Sequence, residues 1–345
     1  MKRFFNGNAG NRYAVSLTSL VFSFLLILAS CKKADPPEPV LRITTLASGL
    51  LAPIGVEVDK KGRVWVAEGG TTKNDGKVTM ITPDGKKYTA INNLPSIINE
   101  GGEAEGPAHI LFADGLLYIL GANGKMYKAD VSQFNPGDAA KPASMLGVED
   151  IGAFVLAHKF VRNSHMTHLY NLTVGPNGAI YIADAAANAI LRRDKTGVMS
   201  VLAEIPWIPN PLPVGGPMVE SVPTGIYYDG QNFLVTTLLG FPFPVGKALI
   251  YKVTPEGVVT PYQSGFTSLV DIAEGGVKGR LVLQHAVFGL ATGFQPNTGK
   301  LVWANGSMAT TLADGLNQPA GLKQAGPHTW YVTSVADGTI LKVEY

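Results

Sequence analysis

The segment "PTGIYYDGQNFLVTT", Pro223 to Thr237, has five relatives within its own chain. Each runs into an alternating strand, in most copies after a Pro, turns on a short polar segment and returns as a second strand. The relatives are "PIGVEVDKKGRVWVAE" around Gly55, "PAHILFADGLLYILG" around His109, "LYNLTVGPNGAIYIAD" around Asn171, "LVDIAEGGVKGRLVLQ" around Asp271 and "PAGLKQAGPHTWYVTS" around Gly321, with Gly225 at the same place in the first. They recur at roughly 45 to 60 residues, a period that belongs to repeat architectures. Each is followed by a third strand led mostly by Gly, as in "GKVTMITPDG", "GKMYKADV" and "GKALIYKVTPEG", and most by a fourth, as in "VMSVLAEI". Four strands per unit and six units predict an all-β, six-bladed β-propeller over residues 41–345. A five- or seven-bladed ring is the competing architecture, the second and fifth copies being the weakest.

The last copy stops at Tyr345 after its third strand, while the N-terminal "LRITTLASGLLAP" matches "MATTLADGLNQPA" of the fifth copy. Leu41 to Ala47 is therefore expected to supply the outer strand of the sixth blade, so that no open blade edge is left. Helical structure is expected only around "DIGAFVLAHKF".

Upstream of this ring, Lys2, Arg3 and Arg12 precede an apolar run from about Tyr13 to Ala29 and then "LASCKK". That order reads as an export signal over residues 1–30. Leu28 to Cys31 resembles the bacterial lipobox, which implies lipidation of Cys31, the sole Cys of the chain. Residues 31–40, with "ADPPEPV", read as a semi-extended tether. An uncleaved membrane anchor is the alternative, although the run is short against the roughly 20 residues that span a bilayer. Lys32 after the lipidated Cys resembles outer-membrane lipoproteins, on either the periplasmic or the cell-surface side.

Of 28 Lys and Arg, three lie in the signal, so the mature chain carries 25 against 26 Asp and Glu. No basic stripe is available to neutralise a row of phosphates, which argues against nucleic acid as a partner. A 46% hydrophobic content, with Gly 40 and Pro 23, suits a full core broken by many turns.

Propeller connectivity sorts the loops. Turns joining strands one to two and three to four share one face and read as uniformly short: "DKKG", "ADG", "GPNG", "PDG", "KTG", "PEG". The opposite face carries "EGGTTKNDG", "PSIINEGGEAEG", most of Gln133 to Leu169, "PWIPNPLPVGGPMVES", "GFPFPVG" and "HAVFGLATGFQPNTG". Elaboration on one face marks it as the working face. Trp207, Phe241 and Phe243 stand in its apolar loops, and with His109 they form the expected binding face for a protein, a glycan or an apolar small molecule.

Chemistry is expected where that face meets the axis, at the ring of Gly55, His109, Asn171, Gly225, Asp271 and Gly321. Glu105 stands just upstream of the second inner strand. Glu105, Asn171 and Asp271 form an all-oxygen set suited to a divalent cation, Ca²⁺ above all. The arrangement resembles the SMP-30/gluconolactonase propellers, in which an "EGP" Glu, an Asn and an Asp bind a metal that activates lactone hydrolysis. The competing readings are a bound ion without catalysis, and polar groups that bond one another around a wet channel.

His158, His165 and His168 form a weaker metal candidate. Glu68 and Asp184 end second strands, where turn capping is the expected role. No G-x-S-x-G, phosphate-loop or dinucleotide fingerprint is present.

"ESVPTGIYYDGQNFLVTTLLGFPFPVGKALIYKV", "GFTSLVDIA" and "GPNGAIYIADAAANAILRRD" resemble recurring segments of the ScyD/ScyE family of exported β-propellers. The likeness covers most of residues 41–345 and is most specific at Ser221–Gly225, Gly240–Gly246 and Gly265–Asp271. It implies the propeller fold and export. Where that family reads "DSNPYGL", this chain reads "HMTHLYNL".

Overall fold

The computed structural model describes residues 40–162, 166–276 and 279–345. Cys31, the signal, the tether up to Pro39 and His165 lie outside the described residues. Val40 to Tyr345 fold as one unit. Six antiparallel sheets form the blades of a propeller, their strands running in order from the axis outward. Blade 4 is typical: Pro223–Tyr228 lines the axis, and Phe233–Thr237, Ala248–Val253 and Val259–Phe266 follow. The inner strands of blades 1, 2, 3, 5 and 6 are Pro53–Val58, Ile110–Ala113, Leu169–Val174, Leu269–Glu274 and Pro319–Gly326.

Blade 6 is closed as the repeat predicts. Arg42–Ala47 pairs antiparallel with Thr339–Glu344, from Arg42 opposite Glu344 to Ala47 opposite Ile340. Chain end thus meets chain start through backbone hydrogen bonds, and a loop-closure entropy is exchanged for a paired edge.

The hydrophobic core is divided into six clusters, one between each pair of neighbouring blades. Trp65 and Met80 of blade 1 meet Ile119 of blade 2, for example, and Tyr181 of blade 3 meets Phe233 of blade 4. Second strands such as Val64–Glu68, Ile180–Asp184 and Phe233–Thr237 are buried at every residue, because a neighbouring blade covers each face. That explains their near-continuous apolar reading. Outer strands are partly exposed, with only scattered buried residues.

Four blades are entered through the same turn. Ala52, Val222, Ser268 and Gln318, each directly before an inner strand, have φ of 48°, 50°, 42° and 45°. Non-glycine residues hold this conformation only under constraint. Blades 2 and 3 are entered instead from insertions: the ribbon Ile97–Ile98/Ala104–Glu105, and the helix Ile151–Ala157, whose first turn is capped by Asp150 accepting the Ala153 N–H at 3.0 Å. The helix stands where the sequence places it. Among the described residues, no helix is long and apolar enough to cross a membrane.

One loop assignment is corrected. The sequence reading puts most of Gln133 to Leu169 on the loop-rich face, but Asp130 to Leu146 joins the third and outer strands of blade 2, Lys125–Ala129 and Gly147–Asp150, and so lies among the short turns. It crosses to blade 1, where Lys141–Pro142 runs parallel to the outer strand Lys87–Leu94. The excursion has a packing reason: Phe134 sits edge-on to Trp65 at 6.0 Å, and its carbonyl accepts from Arg63 Nη1 at 2.6 Å.

Candidate functional site

The six ring positions do meet at the axis, but glycine and polar positions do different work. A Cβ on Gly55 would lie 2.5 Å from His109 Cα, one on Gly225 2.7 Å from Asp271 Cα, and one on Gly321 2.2 Å from the Ile54 carbonyl. The inner strands of blades 1, 4 and 6 therefore press directly on a neighbouring backbone, an approach only glycine permits. Hydrogen bonds seal these contacts: Gly55 N–H to Ala108 O at 3.0 Å, His109 N–H to Tyr170 O at 3.2 Å and Thr224 Oγ1 to Leu269 O at 2.8 Å. Thr236 and Thr333 on the second strands accept the Gly225 and Gly321 N–H groups at 2.9 and 2.7 Å.

His109, Asn171 and Asp271 fill the space the glycines leave. Asp271 is the hub. Its Oδ1 accepts from Asn171 Nδ2 at 2.9 Å and from its neighbour Ile272 N–H at 2.8 Å, and its Oδ2 accepts from Leu322 N–H of blade 6 at 2.7 Å. His109 Nε2 lies 3.5 Å from the same Oδ2, while Nδ1 is 2.7 Å from the Tyr170 carbonyl. One carboxylate thus ties blades 3, 5 and 6 together, with His109 of blade 2 beside it.

Glu105 is not part of this cluster's bonding. It accepts the Asn123 N–H at 3.0 Å, and burial raises its pKa against the opposing effects of His168 and that N–H. Asn171 cannot offer its oxygen to the axis either, since Oδ1 accepts the Leu172 N–H at 2.8 Å and the amide turns its NH₂ to Asp271. Among the described residues no group of three or more His, Cys, Asp or Glu side chains is placed to hold a metal ion. The trio expected to hold Ca²⁺ is, in this arrangement, a hydrogen-bonded clasp and one separate carboxylate, which does not fit an oxygen cage.

The axial cavity, about 210 Å³, also lies on an unexpected side. Every residue lining it stands at or after its ring position along the inner strand, toward the short turns, and none precedes it. The ring is its wall toward the loop-rich face. Below the ring Glu57 Oε1 pairs with Lys323 Nζ at 2.7 Å, and Tyr227 donates its hydroxyl to Glu274, which also pairs with Arg280 Nη1 at 2.8 Å. Burial and that bond push the Tyr227 pKa up to about 12. Burial raises Glu57 as well, with Lys323 opposing it. These four lining groups, Glu57, Tyr227, Glu274 and Lys323, escaped the sequence reading. A signal existed for three of them: strand side chains repeat with period 2, and Glu57, Tyr227 and Lys323 stand two residues after ring glycines.

The loop-rich face carries an aromatic cluster. Phe243 packs at a tilt against Phe288 at 4.6 Å and edge-on against Phe294 at 5.0 Å, these two meet at 5.1 Å, and Phe241 approaches Phe288 at 6.3 Å. Phe288 and Phe294 belong to the ribbon Phe288–Gly289/Gly293–Phe294 between the second and third strands of blade 5. "GFPFPVG" therefore packs across a blade boundary. Its Phe241–Pro242 peptide is cis, and Phe243 has φ 53°. Gly215, of the segment entering blade 4, lies against it, 3.5 Å from Pro242 Cδ when given a Cβ. Phe241 stays 57% exposed, Val245 57% and Leu290 60%.

Trp207 faces a different groove, with Arg162 5.8 Å over its ring and His158 and Glu204 in the same lining. His158 packs against Phe154 and Phe160, and His168 meets Tyr170 edge-on at 6.2 Å. Glu68 and Asp184 cap as expected: Glu68 accepts Leu51 N–H at 2.6 Å, and Asp184 accepts His168 N–H at 2.9 Å and Ala187 N–H at 3.0 Å.

No protein-family model matches the chain, and no curated protein matches it significantly. Solved structures do. A PQQ-bound aldose sugar dehydrogenase from Streptomyces coelicolor has 14% identity and a TM-score of 0.59 over 90% of this chain and 99% of its own. Virginiamycin B lyase from Staphylococcus aureus has 15% identity and a TM-score of 0.52 over 89% and 100%. A structural-genomics target carrying a provisional gluconolactonase assignment has 13% identity and a TM-score of 0.53 over 90% and 93%. Such likeness establishes the propeller fold, shared with dehydrogenase, lyase and lactonase-type propellers, and no activity.

Proposed function

We propose that the protein is an exported, lipid-anchored binding propeller of the ScyD/ScyE type that engages an apolar ligand or partner surface through its loop-rich face. The observation that carries this is where apolar surface remains. Among the described residues, ten of eighteen exposed large apolar side chains lie in the loops of that face, including Leu51, Ile98, Leu212, Phe241, Val245 and Leu290. Phe241 belongs to the four-Phe cluster, and Val245 and Leu290 stand two residues beyond its members Phe243 and Phe288, so the exposed side chains sit on a rigid aromatic base. Exposed apolar surface gathered on one face marks an interaction site.

The double substitution Phe241→Ser, Leu290→Ser tests the face. Saturable binding of the apolar probe anilinonaphthalene sulfonate should be lost, while the melting temperature stays put, as exposed substitutions usually cost within about 0.5 kcal/mol. Undiminished probe binding refutes the reading. Cys31→Ser tests the anchor separately: labelling by an alkyne fatty acid should vanish and the protein should leave the membrane fraction.

A further inference from the structure

The axial cavity contains a buried acceptor that the loop-rich face leaves unused. His109 is 4% exposed, and its Nε2 has no hydrogen-bond partner. Nδ1 faces the Tyr170 carbonyl at 2.7 Å, and a carbonyl only accepts, so Nδ1 carries a proton, and the tautomer this contact selects has its lone pair on Nε2. Asp271 Oδ2, a second acceptor, is 3.5 Å away. Two acceptors so close, both lining one cavity, are satisfied by a group that donates to both.

Charge narrows the choice. Glu57, Asp271 and Glu274 line the cavity against a single cation, Lys323, which Glu57 already engages. Glu274 is held by Arg280 and Tyr227. Asp271 receives only neutral N–H donors from Asn171, Ile272 and Leu322. Its field reaches Glu57 and Tyr170, adding to the burial that raises both. These N–H donors satisfy its oxygens, but they bring no positive charge into the cavity.

We propose that the cavity binds an organic ammonium, which donates N–H to His109 Nε2 and Asp271 Oδ2 and balances the carboxylate. The cavity admits a small amine head. A groove of about 650 Å³ between the turns of blades 1 and 2 shares Glu57 and Lys323 with it, and Trp65 and Phe112 line its wall. The ligand's apolar body leaves along that groove, under the Asp130 to Leu146 excursion that contributes Val131 and Ser132. This site lies on the face opposite the loop-rich one and stands independently of the function proposed there.

Calorimetric titration of the full chain in dodecyl maltoside with benzylamine, benzyl alcohol and benzoate tests it. Benzylamine should bind saturably, and the alcohol and the carboxylate at least roughly tenfold more weakly, the discrimination a buried charge supplies. His109→Ala should abolish binding. Thr173→Phe, which fills the cavity without touching a bonding partner of Asp271, should abolish it too at an unchanged melting temperature. With isotope-labelled histidine, benzylamine should shift the His109 Nε2 resonance alone. Equal affinity for benzyl alcohol, retained binding in Thr173→Phe, or no saturable benzylamine binding, as a cavity that holds only water would give, overturns the proposal.

Discussion

The two faces of the ring divide the work of recognition in opposite ways. The loop-rich face carries length, aromatic side chains and exposed apolar surface, and the polar groups beneath it, Glu68 and Asp184 among them, are spent on capping the chain. Apart from the Asp130 to Leu146 excursion, the short-turn face is plain in outline, yet the cavity behind it is lined by three carboxylates, a lysine and His109, whose Nε2 has no partner. Loop length therefore reports where surface was added. It does not report where buried polar groups point.

What separates the faces is the wall of glycine contacts, and breaking it should have the largest effect. Gly55→Val would force a branched side chain into the His109 backbone, where even the Cβ is 2.5 Å from Cα. The expected loss is about 3 kcal/mol or more, as for severe overpacking, with a fall in melting temperature of roughly 5 °C. Probe binding on both faces should suffer together. Gly62→Ala is the matched control: its φ is 74°, but nothing lies within 4 Å of the added Cβ. Its cost is then backbone strain alone, about 1 kcal/mol, with both binding activities intact. Thermal unfolding of the two variants separates closure of the ring from conformational strain.

The architecture was legible because a propeller repeats its turns, its inner strands and its buried second strands, so six copies vote on one pattern. Even ring closure was readable, since "LRITTLA" and "TTLADGL" solve the same outer-strand problem. The ring positions were legible for the same reason. Their chemistry was not, because whether Asn171 offers an oxygen or an NH₂ depends on the Leu172 N–H beside it. Nor was the side on which the cavity lies, which is decided by how closely Gly55, Gly225 and Gly321 let neighbouring backbones approach. Asp130 to Leu146 misled because a long insertion carries no mark of which strands it joins. "GFPFPVG" announced an apolar loop, but its partners Phe288 and Phe294 are four strands away, in the next blade.

Acid sharpens the comparison. On the short-turn side Glu149 of blade 2 binds Arg193 of blade 3 through two bonds, with Nη2 to Oε1 at 2.6 Å, and Lys128 at 2.8 Å. The Arg193 guanidinium lowers its pKa despite partial burial. A lowered carboxylate stabilises the fold above its unfolded pKa and loses that contribution as pH falls through its folded one. Glu149→Gln should therefore cost about 1 kcal/mol at neutral pH, where a partly exposed bidentate pair is worth most. The difference from the parent should shrink below pH about 4.5 and vanish once Glu149 itself is protonated. Denaturant titrations at several pH values check it, and a penalty that persists in acid would mean that shape, not charge, makes the contact.

Beneath the loop-rich face the sign reverses. Burial raises Glu105, Asp184 and Glu220, and Glu220 has no other influence acting on it. It lies under Gly240, whose N–H bonds the Glu220 carbonyl at 2.9 Å, and so under the first residue of "GFPFPVG". A raised carboxylate favours the folded state most when protonated, below its unfolded pKa, and that advantage is lost as pH rises through the folded pKa. At neutral pH the charged Glu220 is thus a small burden. Glu220→Gln should stabilise the protein by only a few tenths of a kcal/mol, because the group is half open to solvent and its charge is screened. The gain should fade toward pH about 4, the opposite trend to Glu149→Gln. If Glu220→Gln instead destabilises at neutral pH, the carboxylate has an attractive partner in the rim, and the loop-rich face is less purely apolar than its exposed side chains indicate.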